Sequence, residues 1–184
     1  FHTDPENFSP YDRNPETLGR NWAIPGTPGL EHRLGGLEKD SITGEINYEP
    51  ENHEKMVLLR DEKIRRIVKD LPPLQIIGPG NNELLVVTWG SVYGPAFSAV
   101  DELQTEGHSV SMLHLHHLNP FQENLGELLS NFEKVLVPEM NLGQLSRLLR
   151  AEYLIDAIPF SKLQGRSFLI SEIRNRVLEL LGES

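Results

Sequence analysis

The chain has no cysteine. That excludes, within these residues, disulfides, thiolate zinc sites, a cysteine nucleophile and cysteine-held iron–sulfur clusters. Basic residues are outnumbered, 17 Lys and Arg against 27 Asp and Glu, for a net charge of -10. A surface of that sign repels nucleic-acid phosphates, so no nucleic-acid partner is expected. No apolar run approaches the ~20 residues that a membrane span needs, and no signal peptide is read, so a cytoplasmic protein without a membrane partner is expected. Asn7-Phe8-Ser9 fits a glycosylation acceptor, a pattern short enough to arise by chance. The chain begins at Phe1 inside an irregular segment, a start expected of a piece of a longer polypeptide.

What is present supports a core: 38% of the 184 residues are hydrophobic, enough for one domain with an extension or two small domains. Phe1–Pro28 carries five prolines and no sustained period, and its aromatics suit an extended arm packed against a surface; a disordered connector is the alternative. Gly29–Tyr48 has turn signals at Gly35-Gly36 and Thr43-Gly44, with a small hairpin expected within Ser41–Tyr48. His32 and Arg33 lie beside the paired glycines, as a loop reaching a ligand or neighbouring subunit or as a solvated turn. Pro50–Leu71 reads as a helix, with Met56, Leu59, Ile64, Ile67 and Val68 near helical spacing and three Glu/Asp-to-Lys/Arg pairs four residues apart. Pro72–Asn82 reads as a linker, placing the domain boundary after residue 82.

Leu84–Phe121 organises the remainder. Leu84–Thr88 is a β-branched apolar run, Ala96, Phe97, Val100 and Leu103 follow at helical spacing, Gly107 suits a helix C-terminus, and His108–Leu115 reads as a second strand. Strand, helix and strand imply parallel pairing. The pattern continues through a helix at Asn124–Asn131, a strand at Lys134–Val137, a helix at Leu142–Tyr153 with Leu145, Leu148 and Leu149 inward, a fourth strand at Ala157–Phe160 and a helix at Ser171–Leu181. This predicts a three-layer α/β domain over 83–184, with a mostly parallel open sheet, behind an irregular N-terminal extension over 1–82.

Ligands of such sheets meet the carboxyl ends of the strands, here Trp89-Gly90-Ser91, His114–Asn119 and Glu139–Gln144. Gly90–Gly94 resembles a phosphate loop but lacks its Lys-Ser/Thr ending, so Ser91 or Gly94 as a helix cap, with Pro95 at the first helical position, is the simpler reading. His114 and His116 share a strand face, yet no third ligand is evident and no metal site is assigned. Asn141–Gln144 opens a helix whose N–H groups suit an anion, or whose Asn141 is an ordinary cap. A hydrolase built from Ser91, His116 and Glu139 lacks the nucleophile elbow. The candidate interface or ligand-edge residues are thus His32, Arg33, Ser91, His116, Asn119, Asn141 and Gln144; no catalytic residue is assigned.

The stretches GTPGLEHRLGGLEKDSITGEINYEPENHEKMVLLRDEKI, LLVVTWGSVYG, HLHHLNPF and VLVPEMNLGQLSRLLRAEYL, in this order and spacing, resemble the C-terminal part of the α subunit of 2-oxoacid:ferredoxin oxidoreductases, most closely the 2-oxoglutarate type. The resemblance implies that residues 83–184 are similar to the transketolase C-terminal domain and that 1–82 close the preceding pyrimidine-binding domain. It implies a complex that decarboxylates a 2-oxoacid to an acyl-CoA with thiamine diphosphate, magnesium, coenzyme A and an iron–sulfur relay to ferredoxin. The family's Tyr-Pro-Ile-Thr-Pro segment and Gly-Asp-Gly motif have no match here, the latter belonging to the β subunit. The segment is therefore expected to bind no cofactor itself, to be inactive alone, and to serve position and assembly beside the β subunit. The alternatives are a free-standing flavodoxin-like module binding an anion or nucleotide, and a pure oligomerisation module.

Overall fold

The computed structural model describes residues 1–81 and 83–182. They form two compact units, Phe1–Leu71 and Pro72–Ser184.

In the first unit, helix α1 (Pro50–Arg66) runs into a 3-10 turn at Ile67–Asp70. Proline at its start costs no hydrogen bond, and Asp61–Arg65 and Glu62–Arg66 pair along its surface at 2.8 and 2.9 Å. Met56 is buried, whereas Ile67, expected inward, is exposed, and the buried place near the helix start goes to Asn52, whose Nδ2 donates to the Lys39 carbonyl at 2.9 Å. The irregular arm is held by isolated bridges, His2 with Ala23 and Arg13 with Arg20, and by Arg66, which donates to the carbonyls of Pro15 and Glu16 at 2.8 Å each. The small hairpin forms around Lys39 and Ile46, with Gly44 at φ +75°.

Gly44 lies against the buried Tyr11 ring, where an added Cβ would come within 2.5 Å of a ring carbon. Gly44→Ala is therefore expected to destabilise the first unit by about 2 kcal/mol or more, combining a left-handed backbone with a steric clash. Hydrogen exchange of the Asp40 amide, which donates to the Glu45 carbonyl at 2.7 Å, reads that loss.

The second unit contains a four-stranded parallel sheet of β1 (Leu84–Trp89), β2 (Val110–Leu115), β3 (Lys134–Glu139) and β4 (Ala157–Ser161), in the order β2-β1-β3-β4. Its helices are α2 (Tyr93–Thr105), α3 (Leu125–Ser130), α4 (Gln144–Tyr153) and α5 (Ile170–Leu181). Strand residues alternate between two apolar layers. Leu85, Val87, Leu113 and Val135 meet Leu129, Leu145 and Leu149 from α3 and α4. Leu84, Val86, Met112 and Leu136 meet Ala96, Val100, Leu103, Ile173 and Val177 from α2 and α5. Burial on both faces is why β1 reads as a continuous apolar run. The three-layer parallel α/β architecture is the one the alternating elements predict.

Local endings follow side-chain chemistry. After α2 the amides of Gly107 and His108 return to the carbonyls of Gln104 and Leu103, a closure that needs the positive φ of Gly107. At the other end of the same helix, a 3-10 turn at Gly90–Val92 leads in, so neither Ser91 nor Gly94 is the cap, and Pro95 is the third helical residue rather than the first. Phe97 and Leu148, both expected inward, are exposed, and Ser146 is buried beside Leu145.

The expected linker at 72–82 is instead built into the second unit over its described residues. Ile77 exchanges backbone hydrogen bonds with Met112 at 2.8 and 3.0 Å, covering the outer edge of β2. Ser111 Oγ donates to the Pro79 carbonyl, and the Asn124 amide clasps the backbone of Leu74 at 3.0 and 3.1 Å. Asn82 lies outside the described residues.

Candidate functional site

Strand order reverses at β1, with β2 on one side and β3 on the other, which opens a crevice between the carboxyl ends of β1 and β3. The β1–β3 ladder stops at Val86–Leu136, whereas β1–β2 pairing continues to Trp89–Leu115. The strands part there, and Pro138, which has no N–H to give, falls just past the last β1 partner. Ser91 Oγ faces Met140 Sδ at 3.8 Å across the opening.

Helix α4 begins at this edge, and its first amides are all engaged. Asn141 Oδ1 accepts from Gly143 and Gln144 at 2.8 Å each. Glu139, fully buried, accepts from Leu145 at 2.7 Å and from Ser146 at 3.0 Å, while the Arg147 amide returns to the Gly143 carbonyl. The chain's own carboxylate thus occupies the place an anion would take. This decides between the two readings of Asn141–Gln144: Asn141 closes the first amides of the turn, although the N-cap position itself is held by Gly143 at φ +82° and not by Asn141. It also removes Glu139 from a hydrolase triad, since both its oxygens are spent on the helix.

On the other flank of β1, His114 Nδ1 lies 2.9 Å from Oγ1 of the buried Thr88. The His114 ring meets Tyr93 and His116 edge-on, each at 4.8 Å, and Tyr93 stacks on Phe97. Burial pushes the His114 imidazole below its ordinary 6.5, and neighbouring His116 adds to the shift. A two-dimensional NMR titration is expected to give His114 a midpoint below 6.5; a midpoint at or above that value contradicts the desolvation. A depressed histidine pKa favours the neutral ring in the fold, so this contribution is present at neutral pH and is lost as pH falls below 6.5.

Of the sequence-predicted residues, Ser91, Asn141 and Gln144 gather at the β1–β3 opening, and His116 joins the aromatic group beside β1. Asn119 is exposed beyond β2. His32 and Arg33 belong to the first unit, where His32 Nδ1 lies 2.7 Å from the Leu30 carbonyl and its ring meets Phe8 at 5.1 Å. Tyr93 and Thr88, which hold His114, escaped the sequence reading; the period-2 alternation of β1 and β2 places Thr88 opposite His114 and would have paired them. Among the described residues no group of three or more His, Asp and Glu side chains comes together to hold a metal ion, and the sequence has no Gly-Asp-Gly stretch. No helix among the described residues is long and apolar enough to cross a membrane.

A doubly wound parallel sheet with helices on both faces and a self-capped α4 start defines a three-layer α/β domain. The family model of pyruvate:ferredoxin oxidoreductase core domain II matches residues 82–173, and the chain belongs to this family of 2-oxoacid:ferredoxin oxidoreductases. It is 51% identical over 169 residues to the 2-oxoglutarate oxidoreductase subunit KorA of Mycobacterium tuberculosis, covering 91% of this chain and 26% of that protein. It is 28% identical to the 2-oxoacid:ferredoxin oxidoreductase subunit alpha of Saccharolobus solfataricus, over 77% of this chain and 23% of the relative. The solved 2-oxoglutarate:ferredoxin oxidoreductase from Magnetococcus marinus, with 2-oxoglutarate, coenzyme A and succinyl-CoA bound, superposes with a TM-score of 0.79 at 34% identity, over 92% of this chain and 30% of that one. The chain thus spans about a quarter of the length of these two curated relatives.

Proposed function

We propose that the chain is the C-terminal part of the α subunit of a 2-oxoglutarate:ferredoxin oxidoreductase, a cytoplasmic complex that decarboxylates 2-oxoglutarate to the acyl-CoA. In this reading residues 1–71 close the pyrimidine-binding domain, and the transketolase-C-like domain, expected from residue 83, takes in residues 72–81 as well, since they are built into the second unit. The segment contributes position and assembly. Thiamine diphosphate, magnesium, coenzyme A and the iron–sulfur cluster belong to other parts of the complex, with the β subunit and, through the complex, ferredoxin as partners. The family match over residues 82–173 supports the reading, and the α4 start supports the role in position and assembly: Asn141 and Glu139 take up the amides of Gln144, Leu145 and Ser146 that a ligand-binding edge would leave open. That arrangement also argues against a free-standing anion or nucleotide module at this edge. Ser91, His116, Asn119, Asn141 and Gln144 are proposed to face the remainder of the complex, as are His32 and Arg33 on the first unit.

Co-expression of the full α subunit with its β subunit tests this. Introducing negative charge with Gln144→Glu and His116→Glu is expected to reduce co-purification of the β subunit, with the α subunit still soluble. Undiminished recovery of an active complex contradicts the assignment of this edge.

A further inference from the structure

In a chain with a net charge of -10, one cavity of the first unit is lined by five cations and one acid. Its volume is about 640 Å³, and Arg13, Arg20, Lys39, Arg60, Lys63 and Glu38 supply the charge. Glu38 is spent on Arg60, by two hydrogen bonds of 3.1 and 3.3 Å, and on His53. Lys39 is buried and donates to the carbonyls of Gly35 and Leu37. Among the described residues, Arg13, Arg20 and Lys63 have no carboxylate partner, and Arg13 Nε is buried without any acceptor. Burial, then repulsion from Arg20 and Arg60, pushes the Arg13 guanidinium down from its ordinary value. Arg13 also donates to the Leu18 carbonyl and Arg20 lies over the Tyr11 ring, but neither contact neutralises charge, and the repulsion among these cations carries a standing cost that an anion in the cavity would lower.

A second cavity of about 560 Å³ shares Arg20, Leu34 and Lys63 with the first. Its remaining wall sets apolar Trp22, Ile24, Pro25 and Leu30 beside polar Asn21, Thr27, Glu31 and His32. Trp22 is 73% exposed and Ile24 52%, so this wall is open to a ligand. Arg20 and Lys63 therefore line both a cationic chamber and a neighbouring one in which Trp22 and Ile24 offer an apolar face. Both volumes lie within the ~300–1,000 Å³ typical of small-molecule sites.

We infer that the first unit binds a phosphate ester bearing a flat or apolar body, its phosphates among Arg13, Arg20 and Lys63 and its body against Trp22 and Ile24. Guanidinium groups suit phosphate oxygens through paired N–H donors, and a tryptophan face suits a ring. The inference does not depend on the proposed function, because it concerns cavities of the first unit alone.

Calorimetric titration and thermal shift of the chain with ADP, pyrophosphate and adenosine test it. ADP is expected to bind tightest and to quench Trp22 fluorescence; pyrophosphate binds more weakly, and adenosine, lacking charge, more weakly again. Arg20→Gln and Lys63→Gln are each expected to weaken ADP by about tenfold or more. Lys63→Gln is expected at the same time to leave the melting temperature of the ligand-free chain equal or higher, since it relieves repulsion. Trp22→Ala should weaken ADP and leave pyrophosphate unchanged. No binding of ADP or pyrophosphate at about 5 mM overturns the inference. So does ADP affinity equal to that of pyrophosphate, or affinity unaltered in both cation variants.

Discussion

Glu139→Ala is expected to destabilise the second unit by about 3 kcal/mol, within the range for orphaning two buried donors at ~1–3 kcal/mol each. The carboxylate is fully buried at the end of β3 and joins strand to helix by accepting from the amides of Leu145 and Ser146. Alanine leaves both amides without an acceptor and a void where the side chain stood. The loss should appear as a lower urea midpoint with an unchanged slope, and as faster hydrogen exchange at Leu145 and Ser146 ahead of the other α4 amides. Glu139→Gln retains one acceptor oxygen but turns an NH2 toward the second amide, so an intermediate loss is expected. An unaltered urea midpoint for Glu139→Ala would mean that the helix start is satisfied in some other way.

Leu113→Ala is expected to cost about 2–5 kcal/mol, the range for truncating a fully buried leucine in a packed core. Leu113 lies on β2 with Leu85, Leu115 and Leu129 in the layer beneath α3 and α4. Its loss leaves a cavity that neighbours on two rigid elements cannot fill. Leu148→Ala, by contrast, is expected to change stability little, because Leu148 is exposed on α4. Comparing the two by denaturant titration distinguishes the observed burial from the inward Leu148 that helical spacing predicts.

The Leu148 result shows where sequence periodicity stops being informative. Leu145 and Leu149 are buried, and Leu148 lies close enough in helical angle to share their pattern, yet the buried face turns the other way, toward Ser146. Phe97 on α2 follows the same logic, lying beside the buried face of Ala96, Ala99, Val100 and Leu103 and stacking on Tyr93. The strands were legible because burial on both faces demands uninterrupted apolar residues in β1 and β3, and Gly107 was legible because its turn demands positive φ. Residues 72–81 were misread for a physical reason as well. Prolines and glycines forbid a helix there, but they do not prevent one residue, Ile77, from closing the sheet edge.

The site was legible in outline only. Topology places three strand exits on one edge, and Asn141 was readable from local spacing as closing the first amides of the turn, though not that Gly143 holds the N-cap position. The role of Glu139 was not, since a charged residue closing an apolar strand resembles the start of a loop until its amide partners are known. Nor were the cations of the first unit. Arg13, Arg20 and Lys63 are dispersed among acidic neighbours in sequence, and only the arm wound over α1 brings them to one cavity.

The most direct measurement compares 2-oxoglutarate-dependent reduction of a viologen dye, with thiamine diphosphate, magnesium and coenzyme A supplied, by the full complex and by the purified 184-residue chain. Turnover is expected from the complex and none from the chain at any cofactor concentration. Turnover by the chain alone, in proportion to its amount, would contradict the assignment of this segment to position and assembly.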